Sequence, residues 1–213
     1  MPSLRRYHID KFLYGQLNKM TGSILDIGGK KENKRGEFKP LLSAIESWKY
    51  VNLDFSTNPD YLCSAESIPL SDNSVDGFLL CEVLEHLENP ELVLREAFRL
   101  LKKDGRGWIT MPFLAQVHAD PDDYQRWTDI KLYSVLDKIG YKNIIISPMG
   151  GVFSVFYDLW YASLCRSNSR GSLLSKIWFR LYTYSRPLFL LLDKSFRHTQ
   201  PWITTGWSIT LVK

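Results

Sequence analysis

The chain has 213 residues, 45% hydrophobic and 23% charged, with a net charge of +4. That length buries one sizeable core, and the composition is ordinary for a soluble globular protein. The charge is mild and no run of like charge is long, so a nucleic-acid arm is excluded and no nucleic-acid partner is expected.

Cys63, Cys81 and Cys165 share no Cys-x-x-Cys spacing, which argues against a zinc site or a disulfide framework, and no metal is expected. Arg5, Arg6, His8, Asp10 and Lys11 make the first residues too polar for a signal-peptide core. No segment reaches the roughly 20 uninterrupted apolar residues of a bilayer-spanning helix. The expected location is cytoplasmic, with membrane association left open.

Residues 4–20 read as an amphipathic helix, a lid or packing element, with Leu4, Tyr7, Ile9, Phe12, Leu13, Leu17 and Met20 partly at helical spacing. Strands follow near 23–27, 50–54, 77–81 and 107–112, separated by helical stretches near 40–47 and 90–101. This alternation implies a parallel sheet with helices on both faces. The clearest helix opens at Asn89-Pro90-Glu91, because proline suits the first helical position and Glu91 complements the positive end of the dipole. Leu92, Leu94, Ala97, Phe98 and Leu101 are expected on the sheet, and Lys103-Asp104-Gly105 ends the helix. Another helix near 129–139 stops at Gly140 and leads into a strand from Asn143 to Ser147. Residues 206–212 alternate as an edge or antiparallel strand should.

The run Ile24-Leu25-Asp26-Ile27-Gly28-Gly29 is an apolar strand ending in a carboxylate and two glycines, and Asp54 closes a second strand. Backbone without a Cβ passes close to a ligand, and an acid beside the first crossover accepts both hydroxyl hydrogens of a ribose. The Gly-x-Gly-x-x-Gly of a dehydrogenase and the Gly-Lys-Ser/Thr of a phosphate loop are both missing. A carboxylate ahead of the glycines suits an amine-bearing ligand better than a pyrophosphate.

Further stretches follow in order: Ser64-Ala65-Glu66-Ser67-Ile68-Pro69-Leu70, then Asp72-Asn73-Ser74-Val75-Asp76-Gly77-Phe78, then Val83-Leu84-Glu85-His86-Leu87, Pro90, and Glu96 through Gly105. Together with residues 24–29 and Asp54 this pattern resembles the class I S-adenosylmethionine-dependent methyltransferases, type 11 branch, over residues 24–113, about half the chain. The resemblance implies an α/β fold: a Rossmann-like, doubly wound, mostly parallel sheet of about seven strands, with an antiparallel last strand and a helical insertion before it. One domain is expected, with an N-terminal helix or lid (1–20), a cofactor-binding core (21–149), the insertion (150–205) and the final strand (206–213).

The resemblance also implies S-adenosylmethionine as cofactor, bound by Asp26, Gly28, Gly29, Asp54, Phe55, Ala65, Glu66, Cys81 and Glu82. Two departures stand out. The first loop is basic from Lys30 to Arg35 where the family usually carries more glycine, and Ser64 stands where an acid often reads the adenine amino group. Ala65 and Glu66 are left with more of the adenine contact. Lys30, Lys31, Lys34 and Arg35 form a solvated loop or pair with the methionine carboxylate or an acidic acceptor. Glu82 contacts cofactor or acceptor, or merely starts a helix from Glu82 to Leu87; His86 on that helix reads as a packing residue.

Methyl transfer is an in-line displacement on a donor already activated by its sulfonium charge, so alignment and water exclusion matter most. A base is needed only when the acceptor must lose a proton. The stretch from Met111 to Thr128 leaves the carboxyl end of a central strand, where ligands of open α/β sheets bind. His118 is the candidate catalytic base, with Asp120 or Asp123 orienting its ring; Asp123, Tyr124, Arg126 and Trp127 are candidates to bind the acceptor. The competing reading has Asp122 and Asp123 capping a helix, Arg126 in a structural ion pair and His118 bonded to backbone.

The insertion interleaves Phe153, Phe156, Trp160, Tyr161, Trp178, Phe179, Tyr182, Tyr184 and Phe189 with Arg166, Arg170, Lys176, Arg180, Arg186, Lys194 and Arg197. Such a mixture suits a helical cap whose aromatics pack on the sheet, a dimer contact, or a membrane interface and lipid-linked acceptor. The expected activity is O-methylation of a small-molecule, glycan or lipid-linked saccharide acceptor. Alternatives are a catalytically silent S-adenosylmethionine-binding protein, and a peripheral membrane or assembly protein acting through residues 150–205. Oligomeric state is left open.

Overall fold

A computed structural model describes residues 3–32, 36–40, 45–118, 122–166, 173–196 and 203–213. The strands are β1 (Gly22–Ile27), β2 (Ile45–Asn52), β3 (Tyr61–Leu62), β4 (Val75–Cys81), β5 (Leu101–Pro112), β6 (Lys142–Met149) and β7 (Gly206–Val212). They form one sheet in the order β3-β2-β1-β4-β5-β7-β6, parallel except for β7, which runs antiparallel to both neighbours. The helices are α1 (Leu4–Gln16), α2 (Pro90–Leu100), α3 (Asp129–Ile139), α4 (Val152–Arg166) and α5 (Leu173–Phe196). The doubly wound α/β expectation is met, antiparallel last strand included.

Burial on both faces explains why the carboxyl halves of β4 and β5, residues 77–81 and 107–112, read as nearly continuous apolar runs instead of alternating ones. Phe78, Leu80 and Ile109 pack with Val93, Leu94, Ala97 and Leu100 of α2 and Leu132, Val135 and Leu136 of α3. On the other face, Ile24, Leu79 and Trp108 pack against Ile9 and Leu13 of α1. Strand order reverses between β1 and β4, and their carboxyl ends open the crevice where such sheets bind ligands.

Several boundaries differ from those expected. Ile45–Ser47 lie in β2, not in a helix near 40–47; residues 41–44 of that stretch lie outside the described residues. β2 ends at Asn52, before Asp54. β5 starts at Leu101, paired with Val75, so Lys103-Asp104-Gly105 sits inside a strand and does not close α2. Val93 and Leu100 of α2 face the core, whereas Leu92 is exposed. Around Glu82–Leu87 there is only a short 3-10 turn, Leu84–His86. Pro90 opens α2, and Gly140 caps α3 at φ +114°, a conformation that favours glycine.

The insertion packs chiefly on itself and on α1, not on the sheet. Tyr157 stacks on Tyr182 at 4.1 Å, and both are buried with Leu4 and flanked by Trp160, Tyr161, Leu164, Phe189 and Leu190. Two carboxylates fasten this body. Asp158 of α4 accepts from the Leu4 and Arg5 amides at 2.7 and 2.9 Å, capping α1. Asp193 of α5, buried, accepts from the amides of Gly151, Phe153 and Ser154 and from the Ser154 hydroxyl, capping α4. No helix among the described residues is long and apolar enough to cross a membrane.

Candidate active site

The turn after β1 is shaped by glycine. Gly28 has φ +77°, and a Cβ there would stand 2.5 Å from Val83 Cγ2. The Gly28 amide donates to the Val51 carbonyl at 2.8 Å, and the Asn52 amide group donates to the carbonyls of Gly28 and Gly29 at 3.2 and 3.0 Å. A Cβ on Gly29 would collide with the Asp26 carboxylate at 2.3 Å, so Asp26 folds back over the turn. Asp54 is exposed just past β2, accepts from Ser56, and those hydrogen bonds hold its carboxyl below the usual range. Phe55 beside it is exposed. Ala65 packs on the core, and exposed Glu66 donates its amide to Ser64 Oγ at 3.2 Å. At the end of β4, burial pushes the Cys81 thiol up, Asp26 raises it further, and Arg6 of α1 opposes that rise. These placements bring Asp26, the glycine turn and Cys81 to one crevice; Lys34 and Arg35 lie outside the described residues.

Beyond Cys81 the backbone is strained: Glu82 has φ +57°, rare for a residue with a side chain. Thr110 donates its hydroxyl to Glu82 Oε1 at 3.0 Å, and Arg5 Nη1 lies 2.8 Å from Oε2. Glu85 follows with no exposed surface, and neither carboxylate oxygen has a hydrogen-bond partner among the described residues. Burial, with Glu82 adding to it, pushes its carboxyl up to about 8. His86 donates Nδ1–H to the Asp122 carbonyl, while its Nε2 sits 3.6 Å from Glu85 Oε1. The His86 ring meets that of His118 edge-on, with centroids 5.1 Å apart. His86, read from sequence as a packing residue, therefore stands beside the candidate base.

The 112–128 loop is pinned over this turn. The Tyr124 amide donates to the Glu85 carbonyl at 2.8 Å, and Gln125 Nε2 donates to the Leu87 carbonyl at 2.7 Å. Asp123 takes a bidentate ion pair from Arg126, which drives its carboxyl down to about 2, and accepts from the His118 amide at 2.9 Å. His118 Nδ1 lies 3.4 Å from both Asp123 Oδ2 and the Gln116 carbonyl; burial and then Arg5 lower its pKa. Asp122 and Asp123 do not cap α3, whose N-cap is Thr128. Tyr124 is exposed, whereas Trp127 is buried in the core with Nε1–H on Gln125 Oε1 at 2.7 Å. Asp120 lies outside the described residues.

Sequence reasoning gave no role to Glu85 or Arg5. A charged residue inside the apolar run Val83-Leu84-Glu85-His86-Leu87 was a usable signal for Glu85. Arg5 carried none, because only the packing of α1 brings it to Glu82.

A mostly parallel sheet with this strand order, a glycine turn after β1, an acid past β2 and a polar cluster past β4 and β5 define a Rossmann-like α/β fold. The family profile described as "Methyltransferase domain" matches residues 42–109, about a third of the chain. Among curated proteins it is similar to the ubiquinone/menaquinone biosynthesis C-methyltransferase UbiE of Bartonella henselae, 28% identical over 105 residues, or 46% of this chain and 34% of that protein. The match spans about a third of the curated relative's length. Among solved structures, an S-adenosylmethionine-dependent methyltransferase from Archaeoglobus fulgidus aligns with TM-score 0.58 at 14% identity, covering 98% of this chain and 94% of that one. A Haemonchus contortus phosphoethanolamine N-methyltransferase, solved with phosphomonomethylethanolamine and S-adenosylhomocysteine, aligns with TM-score 0.58 at 15% identity, covering 97% of this chain and 52% of the other.

Proposed function

We propose that the protein transfers the methyl group of S-adenosylmethionine to a hydroxyl oxygen of a small-molecule or saccharide acceptor. Asp54 holds the ribose, Asp26 and the Gly28-Gly29 backbone take the methionine end, and Phe55, Ala65 and Glu66 border the adenine. Cys81 and Glu82 floor the reaction centre. The observation that carries the reading is His118: with Nδ1 turned to Asp123 and the Gln116 carbonyl, its Nε2 is left to receive a proton at the mouth of the donor crevice. Tyr124 and Arg126 flank the acceptor, and Trp127 holds the loop from beneath. Atoms balance simply: the hydroxyl proton leaves, the C–O bond forms as the C–S bond breaks, and sulfur keeps the electron pair.

Radiolabelled transfer from S-adenosylmethionine to a panel of hydroxylated acceptors tests this. A carbon-nucleophile quinone precursor belongs in the panel, because the curated relatives are named C-methyltransferases. His118→Ala is expected to lower kcat about 100-fold or more while S-adenosylhomocysteine binding stays within about threefold. Unchanged turnover removes His118 from the base role, and donor binding without transfer to any acceptor favours the silent binding protein.

A second element concerns the acceptor's carrier. Trp178, Leu181, Tyr184, Leu188 and Leu191 recur at helical spacing on α5 and are all exposed, with Phe156 and Leu159 exposed on α4 and Arg180 and Lys194 nearby. This pattern supports contact with an anionic membrane surface and a lipid-linked acceptor. Liposome flotation checks it: replacing Trp178, Leu181 and Leu188 by Ser is expected to abolish flotation on anionic vesicles. Equal flotation of the variant, or none of the wild type, rejects membrane contact.

A further inference from the structure

We propose that Glu85, His86 and His118, with Glu82 beside them, form a binding site for a first-row divalent cation. The ligating atoms of the first three lie within 4.8 Å of one another although they come from two separate segments of the chain. A carboxylate with no exposed surface and neither oxygen hydrogen-bonded is an expensive arrangement, and Glu85 is in that condition. A cation bound at its oxygens removes the cost.

The imidazoles are oriented for the same task. The hydrogen bond from His86 Nδ1 to the Asp122 carbonyl fixes the proton there and leaves the Nε2 lone pair, 3.6 Å from Glu85 Oε1. His118 repeats the arrangement, with Nδ1 against the Gln116 carbonyl and Asp123. Nδ1 anchored on a carbonyl or carboxylate is the outer-shell pattern of metal-bound histidine. Glu82 offers another buried oxygen, Oε2, without a hydrogen bond, and the charge beside it belongs to Arg5 Nη1 at 2.8 Å. Two imidazoles with carboxylate suit Mn2+, Fe2+, Co2+ or Zn2+ better than Ca2+. The cysteine spacing that argued against zinc has no bearing on a sulfur-free ligand set.

The cation's role rests on the reading of the protein as a hydroxyl methyltransferase. Bound there, it would leave coordination positions toward the acceptor, whose oxygen becomes a ligand and loses its proton to water before attacking the methyl carbon. In that state His118 is a ligand, and its part as base belongs to the metal-free protein.

The test uses the full chain, stripped with chelator and titrated with Mn2+ while the paramagnetic signal of the free ion is followed. One Mn2+ per chain is expected, with Glu85→Gln and His118→Ala each weakening binding about tenfold or more. Because a variant at buried Glu85 risks misfolding, thermal melting is read alongside: Mn2+ should raise the Tm of the wild type and not that of the loop variant His118→Ala. No binding of Mn2+, Co2+ or Zn2+ by folded wild type, or binding unchanged in both variants, overturns the site. Calorimetry with S-adenosylhomocysteine separates the two readings. Cation binding without nucleoside binding keeps the site and sinks the methyltransferase, and the reverse sinks only the site.

Discussion

Two residues of the proposed donor pocket, Gly28 and Asp54, have properties visible in their own chemistry. Gly28 turns the chain with φ +77° against Val83, so Gly28→Ala adds backbone strain of about 1–2 kcal/mol and a collision. A loss of several degrees in Tm, together with at least tenfold weaker S-adenosylhomocysteine binding, is expected by thermal melting and calorimetry. Asp54 is exposed and held ionised by Ser56, ready to accept from ribose hydroxyls. Hydrogen bonds to a charged group contribute about 1.5–3 kcal/mol, so Asp54→Ala should weaken the same binding about 10- to 100-fold with the melting curve unmoved. Both residues were legible in the sequence because their signal is local: a strand, a turn residue and an acid. Glu85 was not, because its significance lies in being buried with no hydrogen-bond partner among the described residues, which only packing reveals.

At the scale of elements, helix ends were legible where a residue's covalent character sets them, and faces and partners were not. Proline at the start of α2 and glycine at the end of α3 act through their own backbones. The short segment Ile45-Glu46-Ser47 suits helix or strand equally, and pairing with β1 decided for strand. The cap of α4 is likewise long-range, from Asp193, and Asp158 adds a long-range acceptor to the local Ser3 cap of α1. Burial raises the Asp158 carboxyl to about 6 from an ordinary 3.8. A group whose folded pKa is raised binds more protons in the native state, so its contribution weakens as pH climbs from about 4 to 6 and is flat above. The stability advantage of wild type over Asp158→Asn should therefore shrink by roughly 2–3 kcal/mol across that window, as measured by urea melts at pH 4, 5, 6 and 7. Asp193→Ala strips three amides and a hydroxyl of their buried acceptor, and a loss of about 2–4 kcal/mol is expected in the same assay.

For the whole molecule, α1 is part of the core as well as a neighbour of the site. Leu4, Ile9 and Leu13 are buried against the insertion and the sheet, each contributing about 1.5–3 kcal/mol, a sum comparable with the entire stability of an ordinary domain. A chain lacking residues 1–16 should show no cooperative melt by circular dichroism; a variant that melts cooperatively and still binds S-adenosylhomocysteine would make α1 a detachable lid. The sequence by itself determined the alternating β/α order, the glycine turn and the acid past β2, because periodicity and backbone preference act over a few residues. Only the tertiary structure decided that Arg5 meets Glu82, that Glu85, His86 and His118 converge, and that the aromatic insertion closes on itself. Those contacts join segments tens of residues apart, and chain topology, not local preference, selects them.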